Sequence, residues 1–211
     1  MLPQIRACSH SGMGQYAEER LRIGYISADF RQHVMASFYD VLLRDYDRQR
    51  FQVILYSMSP IQDSITKEMK SLTDGWCDLS GLSYAEAAAR IHADEIDILF
   101  DLAGHSSGGG LPIFAWKPAP IQISGLGYMN TTGLATMDYF LVDEYTVPQG
   151  SLQEKCFTEK LVRLPSQFCY FGKELPLSSG TPGRYRGWLL FGVFNHYRKI
   201  TDEMLAAWRD I

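Results

Sequence analysis

From Leu21 onward, runs of apolar, β-prone residues alternate with stretches of helical periodicity, and that alternation is the pattern of successive βαβ units. Parallel strands need a long crossover between them, and a helix is the usual one. The expected fold class is therefore α/β, a Rossmann-like, doubly wound parallel sheet. Residues 22–27 read as the first strand, 28–32 as a polar turn, and the following stretch as a helix carrying Phe38, Val41 and Leu42 on one face. Phe51–Ser57 reads as a second strand and 61–72 as a second helix, and an extended piece at 76–79 precedes a third helix, Tyr84–Ala93. Ser83 and Glu86 are spaced as the capping box of that helix. Residues 96–102 make a third core strand, Leu111–Trp116 a short helix, and Ile121–Ser124 and 139–143 two further strands.

Ordinary globular composition, 46% apolar and 21% charged over 211 residues, allows one substantial α/β domain, or one domain and part of another. Between 175 and 186 the sequence turns to Pro, Ser, Gly and Arg, which marks a boundary. The expected organisation is a linker or the end of a preceding helical segment at 1–20, a Rossmann-like lobe at 21–180, and the first strand (188–194) and helix (201–210) of a second lobe at 181–211. A lone strand and helix cannot bury their own apolar faces, so this last segment reads as the start of an incomplete domain.

Several classes are disfavoured. The net charge of -4 and scattered Lys and Arg do not make a nucleic-acid groove. No apolar run approaches the roughly 18 residues of a membrane span, and the first twenty residues are too polar for a signal peptide. Cys8, Cys77, Cys156 and Cys169 lack metal-ligand spacing and read as reduced thiols, so the expected compartment is the cytoplasm. No metal cluster is visible, because the adjacent Asp143 and Glu144 at a strand end face different ways. The turn at 28–32 holds no glycine-rich cofactor loop, which argues against a dehydrogenase or a methyltransferase.

In open α/β sheets ligands bind at the C-terminal edge of the strands. His33 follows the first strand at that edge, where a neutral imidazole can take a proton or bond a phosphate; a lone loop histidine is more often structural. The 103–110 loop, Ala-Gly-His-Ser-Ser-Gly-Gly-Gly, is bracketed by Asp101 and His105. They resemble an acid/base pair, although an Asp here often only caps the loop. Leu126, Gly127 and Tyr128 form a turn in which glycine lets backbone approach a ligand closely. Lys199 precedes a helix start marked by Thr201, where its ammonium and the helix N-terminus together suit a diphosphate. A solvated lysine is the plainer reading.

Three stretches read together change that weighting. They are residues 22–33 (Arg-Ile-Gly-Tyr-Ile-Ser-Ala-Asp-Phe-Arg-Gln-His); Asp101 to His105 with 117–123, 126–128, 131–133 and 137–139; and 194–201 (Phe-Asn-His-Tyr-Arg-Lys-Ile-Thr). In order and spacing, from about residue 21 to the end, they resemble the O-GlcNAc transferase family of protein glycosyltransferases. The resemblance implies a two-lobed GT-B-type fold with a nucleotide-sugar donor between the lobes, and metal-independent, inverting transfer of a sugar to Ser or Thr hydroxyls of a protein or peptide acceptor. No cofactor is implied. UDP-GlcNAc is the implied donor; a plant-type branch of the same resemblance uses GDP-fucose. Tetratricopeptide-type repeats commonly precede the catalytic region in such proteins.

By the same resemblance His33 lines the catalytic cleft, Lys199 stabilises the departing nucleoside diphosphate, and His196 lies near the donor phosphates, where relatives often carry an amide. The turn of Leu126, Gly127 and Tyr128 borders the donor sugar, and Asp101 and His105 are possible acceptor or cleft residues. The sequence departs from the common pattern at Met129-Asn130, where Pro-Gly is usual, and at Gly125, where Trp is frequent. A different class of function, a noncatalytic or truncated interaction module with this fold, is the alternative. The 211 residues alone are expected to be inactive.

Overall fold

Alternation within the strands builds a sheet with two buried faces. In the computed structural model, which describes residues 7–10, 20–167, 184–185, 188–189 and 191–210, the strands are β1 (Leu21–Ser27), β2 (Phe51–Ser57), β3 (Gly75–Asp78), β4 (Ile98–Asp101), β5 (Ile121–Ser124), β6 (Tyr139–Val142) and β7 (Lys160–Arg163). They run parallel in the order β3-β2-β1-β4-β5-β6-β7. The α/β, doubly wound expectation is met. Val53 and Leu55 of β2 pack on one face with Ile23 of β1, and Tyr56 joins Ile26 and Leu99 on the other. Such near-continuous apolar strands are what a parallel sheet covered on both sides requires.

Helices α1 (Ala36–Arg44) and α2 (Ser64–Leu72) cover the first face, with Tyr39, Leu43 and Met69 fully buried. The inward stripe of α1 is thus centred one position beyond the expected Phe38, Val41 and Leu42, which are only partly buried. Helix α2 begins three residues later than expected. Asp63 sets its start: its carboxylate accepts from the Thr66 amide at 3.0 Å, a cap worth about 1 kcal/mol. Helix α3 (Tyr84–Ala93), with the Ser83 and Glu86 capping box in place, covers the second face beside a 3-10 helix, Leu111–Trp116.

The third core strand is shorter than the expected 96–102, because Asp97 closes its start by accepting the Arg22 amide at 2.7 Å. Strand β7 and the 3-10 helix Leu152–Cys156 were not expected. Lys-Leu-Val-Arg is half polar because β7 ends the sheet and alternates exposed with partly buried residues.

The chain divides into two compact units, Met1–Gly172 and Lys173–Ile211. The second contains β8 (Arg184–Tyr185) paired antiparallel with β9 (Trp188–Leu189), a 3-10 turn, Tyr197–Lys199, and α4 (Asp202–Arg209). The expected strand at 188–194 is therefore not continuous, since 191–194 have no regular structure. Phe191, Phe194 and Tyr197 are exposed. The expected boundary near 180 lies outside the described residues, as do Cys169 and all of the expected 1–20 linker except 7–10 and 20.

Candidate functional site

Strand order reverses at β1. Its chain continues to β2 on one side, whereas its other neighbour, β4, continues to β5. Between the C-terminal ends of β1 and β4 the two connections leave in opposite directions, and that is where open α/β sheets bind ligands. The turn bearing His33 and the loop bearing His105 flank this switch point.

In the first turn the buried Ser27 hydroxyl accepts the Asp29 amide at 3.0 Å, and the Gln32 amide donates to Asp63 at 2.6 Å, tying the turn to the cap of α2. Buried Phe30 adds its carbonyl, which accepts from the Thr66 hydroxyl at 2.8 Å. His33 is exposed. Its Nδ1 lies 3.3 Å from the Met35 amide and 3.5 Å from the Asp29 carboxylate. A neutral ring with a bare Nδ1 serves the amide; a protonated one serves the carboxylate. One nitrogen thus has two partners: bare, it accepts the amide, and carrying a hydrogen, in the neutral Nδ1–H tautomer or the imidazolium, it donates to the carboxylate.

Asp101 and His105 do not form the acid/base pair their spacing suggests. Asp101 is fully buried, and its carboxylate accepts from the amides of Ala103 (3.1 Å) and Gly104 (3.0 Å) and from the Ser124 hydroxyl (2.7 Å). This is the loop-capping role, extended to hold β5. Burial pushes the Asp101 carboxyl above its ordinary value, outweighing Ser124, the two amides and His105, which all pull it down. His105 is exposed and uses Nε2 on the Thr132 carbonyl at 3.1 Å, with its ring edge-on to Tyr128 at 5.3 Å.

The loops after β4 and β5 are fitted to each other without room for side chains. A Cβ on Gly127 would stand 1.8 Å from the Leu102 carbonyl oxygen, and one on Gly104 would stand 2.4 Å from Cβ of Tyr128. Between them Leu126 adopts φ 71° while the Gly127 amide bonds the Gly125 carbonyl at 2.9 Å, a strained γ-turn. Leu126, Gly127 and Tyr128 are thus a closely fitted feature of this edge. Beneath Leu126, on the sheet face, lies an apolar cavity of about 230 Å³ lined among others by Tyr25, Phe38, Phe100, Leu141 and Gln167.

Glu159 went unnoticed in the sequence. It is 6% exposed and takes the Thr132 amide at 2.7 Å, the Thr131 hydroxyl at 2.8 Å and the Thr132 hydroxyl. A clue was present: two adjacent threonines before Gly133 in a buried turn need an acceptor, and polar β7 is preceded by a carboxylate.

In the second unit the His196 Nδ1 accepts the Arg198 amide at 3.3 Å, capping the Tyr197–Lys199 turn. Thr201 caps α4 by accepting the Met204 amide at 3.3 Å. Lys199 is exposed at the junction of turn and helix, two residues before that cap. Among the described residues no group of three or more His, Cys, Asp or Glu is placed to hold a metal ion, and no helix is long and apolar enough to cross a membrane.

Comparison with known proteins agrees with this architecture. The model of glycosyl transferase family 41 matches residues 5–175. A protein of Arabidopsis thaliana named probable UDP-N-acetylglucosamine–peptide N-acetylglucosaminyltransferase SPINDLY is 37% identical over 200 residues, which are 92% of this chain and 22% of that protein. The UDP-N-acetylglucosamine–peptide N-acetylglucosaminyltransferase of Caenorhabditis elegans is 37% identical over 153 residues, 71% of this chain and 13% of that protein. A mutant O-GlcNAc transferase of Thermobaculum terrenum superposes with a TM-score of 0.68 at 38% identity, over 72% of this chain and 29% of that one. The chain thus spans about a fifth of the length of the plant relative. With its parallel sheet, switch-point loops and this match over most of its length, the chain belongs to glycosyl transferase family 41, the family of the O-GlcNAc transferases.

Proposed function

We propose that the chain supplies the acceptor-side lobe, and the first elements of the donor lobe, of an inverting glycosyltransferase that moves GlcNAc from UDP-GlcNAc to Ser or Thr hydroxyls of proteins in the cytoplasm. One observation carries this reading: His33, His105 and the Leu126–Tyr128 turn come from three separate connections of the first unit, and all lie at the C-terminal edge of its sheet. The names of the plant and nematode relatives support the donor and the peptide acceptor.

The acceptor oxygen attacks the anomeric carbon, the bond from that carbon to the diphosphate breaks, and configuration inverts. The hydroxyl proton leaves to a base. His33 is the base we favour: with a hydrogen on Nδ1 held by the Asp29 carboxylate, Nε2 is the basic nitrogen that takes the proton. The leaving diphosphate gathers charge, which Lys199 and the amides at the start of α4 offset without a metal. Tetratricopeptide-type repeats elsewhere in the polypeptide would bring the protein acceptor.

The test uses the full-length protein with radiolabelled UDP-GlcNAc, GDP-fucose in parallel, and a peptide mixture. Label should pass from UDP-GlcNAc to peptide, falling about 100-fold in His33→Ala and in Lys199→Ala. Transfer that survives both substitutions sinks the site assignment. Transfer from GDP-fucose alone moves the donor to the fucosyl branch. Absence of transfer and of UDP binding leaves an interaction module.

A further inference from the structure

Glu159 has no part in the chemistry above, yet from the end of the β6–β7 connection it accepts three hydrogen bonds from the β5–β6 connection. It stands immediately before β7, whose Lys160 amide bonds the Asp138 carbonyl at 3.0 Å and whose backbone pairs in register with β6 from Tyr139 to Val142. The carboxylate is therefore mounted on the sheet. From there it takes the amide and hydroxyl of Thr132 and the hydroxyl of Thr131. Those hydroxyl oxygens in turn accept the next amides: Thr131 takes Gly133 at 3.1 Å and Thr158 at 3.2 Å, and Thr132 takes Leu134 at 3.2 Å.

The chain of contacts does not stop at the threonines. The Thr132 carbonyl, aimed by the same clamp, lies 3.1 Å from His105 Nε2. A carbonyl only accepts, so Nε2 must carry the hydrogen, and in the neutral ring Nδ1 is the basic nitrogen. Tyr128, on the far side of this turn, lies edge-on to the same ring and fills the space above Gly104. Position and tautomer of His105 thus rest on one buried carboxylate.

We propose that Glu159 is a positioning residue for the transfer reaction, acting through Thr131 and Thr132 on the Leu126–Gly133 turn and on the tautomer of His105. The proposal rests on the glycosyl-transfer reading for the word reaction, and on the hydrogen bonds alone for the word positioning. Its experiment has one arm for each.

The full-length protein is compared with Glu159→Gln, Thr132→Val and the double variant. Glutamine keeps the shape and can still take the Thr132 amide, but it gives up one of the two acceptor oxygens. In hydrogen exchange, the amides of 127–134 should lose protection in Glu159→Gln while those of β6 and β7 keep theirs, and the His105 ring signals should shift. An unchanged turn and an unchanged ring overturn the proposal whatever the activity. In kinetics, donor KM should rise about 10-fold or more in each single variant, as misplaced binding groups do, with acceptor KM unmoved. The double variant should be no worse than the worse single, since both cut one chain of contacts. Fully additive losses, or donor KM within about twofold of the parent beside lowered melting temperatures, overturn it and leave Glu159 as fold support. A parent protein that transfers no sugar refutes the glycosyl-transfer reading, and the exchange arm still decides the positioning claim.

Discussion

Two buried carboxylates hold the same loops from opposite ends, and they respond to burial in opposite ways. Asp101 lies at the centre of the sheet, wholly covered, and its carboxyl is pushed up because burial outweighs the Ser124 hydroxyl, the amides of Ala103 and Gly104 and nearby His105. Glu159 lies at the margin before β7. Burial pushes it up too, but the hydroxyls of Thr132 and Thr131 and the Thr132 amide together hold it below its ordinary range. Both take three or more hydrogen bonds, so the difference is not a count of donors. Depth decides it. At the sheet's centre the cost of taking charge from water exceeds what the donors return, whereas at the margin the donors prevail.

The largest effect tests whether the two anchors serve one body. Gly127 sits where the loop held by Asp101 meets the turn held by Glu159, and an alanine there drives a methyl into backbone. Gly127→Ala should cost about 3 kcal/mol or more in a urea titration, at the upper end of overpacking. A loss near zero would mean that the loops move independently. Next come the anchors. Asp101→Ala leaves two amides and a hydroxyl unpartnered in a fully covered site and should cost about 3 kcal/mol, against about 2 kcal/mol for Glu159→Ala at the margin. The reverse order would break the argument from depth.

A subtler effect follows from the signs of the two shifts. The Glu159 carboxyl is lowered, so its contribution is complete above the ordinary value of 4.5 and disappears as pH falls through the folded value below it. The Asp101 carboxyl is raised, so its contribution is complete below 3.8 and shrinks as pH rises through the folded value above it. Relative to the parent, Glu159→Gln should therefore be less sensitive to acid, and Asp101→Asn should lose less stability as pH climbs from 3.8. Melting temperatures across that range check both. Slopes of the same sign would show that depth does not separate the two groups.

How much of this was legible in the sequence varied by element. Strands built on apolar runs, such as Val53-Ile54-Leu55-Tyr56 within β2, declared themselves, as did α3 with Ser83 and Glu86 in place, because their local chemistry agrees with their tertiary setting. Strand β7 did not, since an edge strand needs no apolar run. His33, His105 and the Leu126–Tyr128 turn were found at the expected sheet edge, but the partners that fix them were not. Asp101 looked like an acid beside His105, and only the fold shows its oxygens occupied by Ser124, 23 residues along the chain. Glu159 serves Thr132 from 27 residues away, and no periodicity reports such a contact.

His33 stands at the opposite extreme from both carboxylates. Its turn follows β1 as the Asp101 loop follows β4, but the imidazole is exposed and its two contacts, at 3.3 and 3.5 Å, are long and local. Removing it leaves no buried donor stranded, because the Met35 amide reaches water and Asp29 keeps Arg31 at 3.6 Å. His33→Ala should therefore change stability by no more than about 0.5 kcal/mol. A side chain that matters little to the fold is thus the one proposed to take the acceptor's proton, and its loss should be felt in transfer alone. His33→Ala that melts as early as Asp101→Ala would make this histidine another strut, and the search for the base would pass to His105, whose free nitrogen Glu159 sets.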